Sequence, residues 1–182
     1  MLLKIKGLIV QDKLFSATLL ACAVGIMWLY YALPASSLKE LGLQAEQIPV
    51  VCIDPGHPTD FNSGRLVVNG LRELDVNWEV ALRLEKLLTE DYGIRVVMTR
   101  EDKEQLMNNP ERAEVSNKAN AAIFLRLHCD AGPNSGFTLY YPDRQGTSVG
   151  TTGPTPEIIR QSRFAAEEVH KGMAAVLAGE LK

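Results

Sequence analysis

Two of the three histidines in this chain lie where a predicted strand ends. His57 follows the turn after a short apolar run, and His128 comes directly after a later one. If both runs are parallel strands of one sheet, the two imidazoles reach its carboxyl edge, where open α/β sheets build their sites. Glu73 follows a glycine-bearing loop that can return its carboxylate to that edge. Two neutral imidazoles and one carboxylate are a familiar ligand set for catalytic zinc, with a fourth position left for water.

Spacing alone leaves other interpretations of these residues open. The candidate ligands are separated by 16 and 55 residues, so the compact His-Glu-x-x-His zinc motif is absent. A histidine at a strand end often does no more than form a hydrogen bond. Nitrogen and carboxylate ligands suit zinc but also accept other first-row ions.

Four charged residues near the candidate ligands have two interpretations each. Asp54 and Asp130 each neighbour a candidate ligand and could orient its imidazole from behind, or simply hydrogen-bond a turn. Arg100 and Arg112 could bind substrate carboxylates in a bidentate manner, or form structural salt bridges.

The elements that must position these residues alternate along the chain. Predicted strands cover residues 50–53, 94–98, 121–127 and 136–141, and predicted helices run from about 75 to 92, from 110 to 118 and from 157 to about 181. Residues 142–156 contain several glycines and prolines and predict a surface loop. The alternation predicts an α/β fold, with a mostly parallel sheet flanked by helices on both faces.

A long apolar segment precedes this domain. Leu14 to Leu33 is mostly apolar, carries no charge and is long enough to cross a membrane as a helix. The lysines before it predict a cytoplasmic amino terminus. A cleaved signal peptide is the alternative, with small residues for the cut at Ala35-Ser36-Ser37, and lipidation at Cys22 is a third.

These interpretations define the predicted domains and their location. Residues 1–33 form the lysine-bearing end and the transmembrane or signal helix, 34–47 a linker, and 48–182 the catalytic domain. The catalytic domain is thus expected outside the cytoplasm, in the cell envelope, either anchored to the membrane or secreted. A length of 182 residues fits one domain plus an appended segment.

Composition excludes two further classes of protein. The net charge of -3 gives no broad basic surface, so we expect no nucleic-acid partner. The three cysteines, Cys22, Cys52 and Cys129, are too few and too scattered for a disulfide framework. Nothing in the sequence indicates an oligomeric state.

Five motifs in a fixed order resemble a known family. They are Ile53-Asp54-Pro55-Gly56-His57, Asn69-Gly70-Leu71-Arg72-Glu73, Thr99-Arg100, Arg112 with Asn117, and Leu127-His128-Cys129-Asp130-Ala131. From about Val50 to Val169 the chain resembles the zinc-dependent N-acetylmuramoyl-L-alanine amidases of type 3.

The resemblance implies an activity and a set of site residues. It implies that His57, Glu73 and His128 bind Zn2+ and that the substrate is peptidoglycan, cleaved between N-acetylmuramic acid and L-alanine. Family members carry the general-base glutamate on a strand after the last helix, so we expect that residue beyond Lys182, in a longer protein. A zinc carboxypeptidase of similar fold and a non-catalytic domain that binds the cell wall are the alternatives.

Overall fold

The computed structural model describes residues 49–60, 62–64, 67–68, 70–129, 136–148 and 150–178. They belong to two compact units, one containing residues 49–129 and the other residues 136–178. The predicted spanning segment, the linker 34–47 and Asp130 lie outside the described residues. Among the residues that are described, no helix combines the length and the apolar character needed to cross a membrane.

A three-stranded parallel sheet forms the centre of the first unit. Strand β1, Val50–Pro55, lies between β4, Arg95–Met98, and β5, Ile123–Leu127. All six residues of β1 are buried, as the unbroken apolar run predicts for a central strand. Because Pro55 is paired with Leu127, β1 and β5 end at the same level. His57 and His128 therefore leave the sheet at one edge, as predicted.

Helix α1, Glu73–Lys86, follows a short antiparallel hairpin. The hairpin pairs β2, Val67–Val68, with β3, Leu71–Arg72, where the sequence predicted only a loop. The predicted helix start near Asp75 was wrong by two residues, because β3 runs directly into the first turn and makes Glu73 the first helical residue.

The structure also shows where this helix ends and which of its residues are buried. A π-helical turn, Leu87–Asp91, extends α1, and Gly93 follows with a φ of 65°, a left-handed conformation that glycine adopts readily at the end of a helix. The buried residues of α1 are Leu74, Asn77, Ala81 and Leu84. One of them, Asn77, is polar.

Helix α2, Asn109–Lys118, begins with a capping box formed by Asn108 and Glu111. Its two buried residues, Arg112 and Ser116, are polar and lie one turn apart. Arg112 bonds Asp54 and Ser116 bonds Cys52, so α2 covers the face of the sheet that holds these two side chains of β1. That helices cover both faces stays a prediction.

The second unit contains a hairpin and a long helix. Strands β6, Gly146–Ser148, and β7, Thr151–Gly153, pair within the predicted loop, and Gly150 adopts a φ of 77° between them. Helix α3, Pro156–Leu177, starts at the cap residue Thr155.

The strand predicted at 136–141 is wrong. Exposure does alternate along these residues, since Phe137 and Leu139 are half-buried while Thr138 and Tyr140 are exposed. Among the described residues, however, no neighbouring strand pairs with them, and strand structure requires such hydrogen bonds.

Candidate metal centre

The three predicted ligands meet at the carboxyl edge of the parallel sheet. One ligand atom from each of His57, Glu73 and His128 lies within 4.8 Å of the others. Glu73 lies between the imidazoles, with Oε2 at 3.1 Å from His57 Nε2 and Oε1 at 2.9 Å from His128 Nδ1. The two rings are edge to face, with centroids 4.9 Å apart. Residues separated by 16 and 55 positions thus form one compact cluster.

The hydrogen bonds of His57 indicate which nitrogen carries its proton. Nδ1 lies 3.3 Å from the carbonyl oxygen of Asn62, which can only accept, so Nδ1 donates. In the neutral ring the lone pair is then on Nε2, which faces Glu73 Oε2. Two acceptors at that distance need a proton or a metal cation between them. The donor set therefore fits a cation bound to Nε2 and the carboxylate.

Glu73 is held as a carboxylate by donors from two directions. Its Oε1 accepts the backbone N–H of Cys129 at 3.0 Å and the side-chain amide of Asn77 at 3.4 Å. Burial raises the pKa of the Glu73 carboxyl, but the hydrogen bonds with Cys129, His128 and Asn77 and the charge of a protonated His57 together lower it further, so the pKa lies below its ordinary value. A charged carboxylate is the form that binds a metal ion.

Two glycines make room for the imidazoles. A Cβ at Gly56 would lie 2.5 Å from His128 Cε1 and 2.6 Å from the carbonyl oxygen of Leu127. A Cβ at Gly64 would lie 2.5 Å from both Cβ and Cγ of His57, and Gly64 also has a φ of 63°. Both positions therefore require glycine for the site to keep this shape.

The charged neighbours of the ligands lie in the interior. Asp54 is fully buried and accepts hydrogen bonds from Thr99, Arg112 and Arg126; none of its described bonds goes to an imidazole. Arg100 and Arg112 are each 1% exposed. Burial, and next the charge of Arg112, lower the pKa of Arg100 to about 10. For Arg112 these contacts support the structural salt bridge rather than substrate binding.

Sequence reasoning missed several residues that shape this centre. Asn77 lies four residues after Glu73 on α1. Residues with this spacing are neighbours on a helix, so the sequence could have indicated the contact between them. Asn62 acts through its backbone carbonyl, so no side-chain pattern could indicate it. Gly56 and Gly64 are important because an imidazole packs close to the backbone of each, a contact that the sequence does not show.

Comparison with known proteins gives a consistent set of relatives. A family model described as N-acetylmuramoyl-L-alanine amidase matches residues 51–179. The sporulation-specific N-acetylmuramoyl-L-alanine amidase of Bacillus subtilis strain 168 is 33% identical over 95 residues, which are 51% of this chain and 36% of that protein. The probable N-acetylmuramoyl-L-alanine amidase AmiB of Haemophilus influenzae is 33% identical over 100 residues, 54% of this chain and 21% of that protein.

A third relative is matched over a longer stretch of the chain. N-acetylmuramoyl-L-alanine amidase AmiC of Escherichia coli O6:H1 is 29% identical over 141 residues, 74% of this chain and 32% of that protein. The chain thus spans about a third or less of the length of these curated relatives. No solved structure matches significantly. Because the family model covers well over half of the sequence, including all three clustered candidate ligands, the chain belongs to the N-acetylmuramoyl-L-alanine amidase family.

Proposed function

We propose that this domain binds zinc through His57, Glu73 and His128 and hydrolyses the amide bond between N-acetylmuramic acid and L-alanine in peptidoglycan. The observation that carries the proposal is the approach of three ligand atoms to within 4.8 Å at the edge of the sheet. Family membership supports the substrate, and the imidazole and carboxylate donors support zinc.

The residues of the chain would prepare the site in distinct ways. The carbonyl of Asn62 holds the tautomer of His57 that leaves Nε2 able to bind a metal. The N–H of Cys129 and the amide of Asn77 fix the orientation of the Glu73 carboxylate. Bound zinc would supply Lewis-acid polarisation of the scissile carbonyl and a water of lowered pKa. Hydrolysis also needs a group that accepts a proton from water and donates one to the departing amine, and among the described residues we assign none.

The location of this activity is also a proposal. Peptidoglycan lies outside the cytoplasmic membrane, so an enzyme that hydrolyses it must be exported. The apolar segment Leu14–Leu33 would provide it, as an uncleaved anchor or as a signal peptide, with 34–47 as linker and 48–182 as catalytic domain.

The proposal is tested by combining metal analysis with product analysis. The full chain, purified in mild detergent, is incubated with purified sacculi with and without zinc. We expect one zinc per chain, zinc-dependent release of stem peptides with an amino-terminal L-alanine, and muramic acid with a free lactyl carboxylate, identified by mass spectrometry.

A matched pair of histidine variants provides the control. His57→Ala should lose both zinc and product, whereas His170→Ala, which changes an exposed histidine of α3, should retain both. Release of single carboxyl-terminal amino acids would instead support the carboxypeptidase. Intact sacculi with zinc bound would support a domain that only binds the wall.

A further inference from the structure

Two buried arginines contact the loop that carries His57. Arg100 and Arg112 are each 1% exposed, although arginine is almost never fully buried unless it is paired. Arg112 is paired with the buried carboxylate of Asp54. The described hydrogen bonds of Arg100 all go to backbone carbonyls, and its guanidinium lies 5.2 Å from the ring centre of Trp78. Two cations this deep in a small unit need a structural reason.

The carbonyls beyond the end of β1 provide that reason. Strand pairing stops at Pro55, yet the residues from Pro55 to Pro58 remain buried, and a buried carbonyl needs a donor. The carbonyl of Pro55 accepts from Arg112 Nη1 at 3.0 Å and from Arg100 Nη2 at 2.8 Å. The carbonyl of Pro58 accepts from Arg112 Nη2 at 2.9 Å. One guanidinium therefore bonds the chain on both sides of His57.

The backbone of His57 depends on such support. Its φ of 61° is in the left-handed region, which a residue other than glycine rarely adopts unless its surroundings fix it. A guanidinium is a rigid planar fork, so the two Nη atoms of Arg112 hold the two carbonyls at a fixed separation. A lysine at this position could keep the charge beside Asp54 but could not reproduce the fork.

We propose that Arg112, assisted by Arg100, is a positioning residue for His57: its guanidinium fixes the backbone of residues 55–58 so that Nε2 of His57 faces Glu73. This inference depends on the metal site of the proposed function. Asp54 accepts from the same Nη1 that donates to the Pro55 carbonyl, and Met107 adds a carbonyl that accepts from Arg112 Nε at 3.0 Å. None of the described hydrogen bonds of Arg112 goes to the side chains of His57, Glu73 or His128.

Arg126 offers a matched control on the same carboxylate. It bonds Asp54 through Nε and is 33% exposed, and none of its described hydrogen bonds goes to residues 55–58. Arg126→Lys therefore changes an ion pair of Asp54 without changing the support of His57. Arg112→Lys changes both.

The experiment compares zinc affinity and metal spectra in the full chain. Zinc affinity is measured by competition with a chelator, at a temperature where circular dichroism shows each variant folded. The visible spectrum of the cobalt-loaded protein reports ligand geometry. Arg112→Lys should weaken zinc binding by about 10-fold to 100-fold, the usual effect of losing support for a ligand, and should alter the cobalt spectrum. Arg126→Lys should change neither.

The outcomes separate this inference from the proposed function. A wild-type chain that binds no zinc overturns both. A wild-type chain that binds zinc, together with a folded Arg112→Lys chain of equal affinity and identical cobalt spectrum, overturns the positioning role alone. Asp54→Asn provides a second test if the Arg112 variant does not fold. It removes the charge of the ion pair but keeps a side-chain oxygen that can accept from Arg112 Nη1, and it leaves the bonds to the two carbonyls, so it should lower the melting temperature and retain zinc affinity. Zinc binding weakened by about 10-fold or more in folded Asp54→Asn would assign the effect to charge pairing and overturn the inference.

Discussion

The two histidines of the candidate metal centre contact the same carboxylate from different surroundings. His57 is 8% exposed, has a left-handed backbone, and is fixed by the Asn62 carbonyl and by the bonds of Arg112 on either side. The side chain of His128 is 39% exposed and follows the end of β5. One candidate ligand is thus held from inside the fold, and the other faces solvent. We expect substitutions around His57 to alter metal affinity. Chemical labelling next to His128 should show how accessible the site is.

The largest expected effect comes from the carboxylate that both histidines share. Glu73→Gln replaces a charged ligand by a neutral amide and should lower zinc affinity by more than the roughly 10-fold to 100-fold typical of supporting residues. Asp75→Asn is the control, because Asp75 lies on the same helix but bonds Arg72 and Lys103. Zinc per chain, measured by plasma mass spectrometry after gel filtration, should fall only for Glu73→Gln. Equal zinc content in both variants would contradict the proposed ligand set.

A pair of glycines tests whether the space around His57 is essential. Gly64→Ala places a Cβ 2.5 Å from His57 and adds strain at a φ of 63°. Gly70→Ala adds comparable strain at a φ of 81°, roughly 1–2 kcal/mol, but its Cβ would meet nothing within 4 Å. Both variants should lose stability, and only Gly64→Ala should also lose zinc affinity. Thermal unfolding with and without zinc separates the two effects, and a zinc-induced stabilisation of similar size in both would show that His57 can move aside.

A smaller effect is expected where the two ligand segments are joined. Asn77 donates to Glu73 Oε1 and to the Gly56 carbonyl, both at 3.4 Å. Asn77→Ala should weaken zinc binding by about 10-fold, because the carboxylate and the loop lose a shared donor. Glu79→Ala, on the exposed side of the same helix, should leave zinc affinity unchanged. Titration calorimetry compares the two, and equal affinities would restrict Asn77 to a packing role.

The parts of the fold that the sequence predicted are those with a strong local pattern. The apolar run of β1 and the position of His57 and His128 after strand ends were sufficient to bring the ligands to one edge. Strands β2 and β3 are two residues each, too short for any alternation to indicate them. The strand predicted at 136–141 has the alternation but no partner among the described residues, and pairing is not a local property.

The supporting residues were harder to predict for a different reason. The sequence alone does not show whether an arginine binds a substrate carboxylate or an internal carbonyl. For Arg100 and Arg112, only burial separates these roles. For Asp54 the sequence left two interpretations open, orienting an imidazole or hydrogen-bonding a turn, and its described bonds go to Thr99 and two arginines. The contribution of Asn62 is a backbone group that every residue possesses. The predicted membrane segment stays a prediction.

Alkylation of two cysteines compares the buried interior with the exposed edge beside His128, and it requires no substitution. Cys52 of β1 is fully buried, and burial raises the pKa of its thiol, although a hydrogen bond with Ser116 opposes the shift. Cys129, next to His128, is exposed. A raised pKa leaves less reactive thiolate at neutral pH, and burial also blocks the reagent. We therefore expect iodoacetamide to label Cys129 in the folded chain and Cys52 only after urea is added, as followed by peptide mapping. Labelling of both at similar rates in the folded chain would mean that the interior around Cys52 is as accessible to the reagent as the edge beside His128.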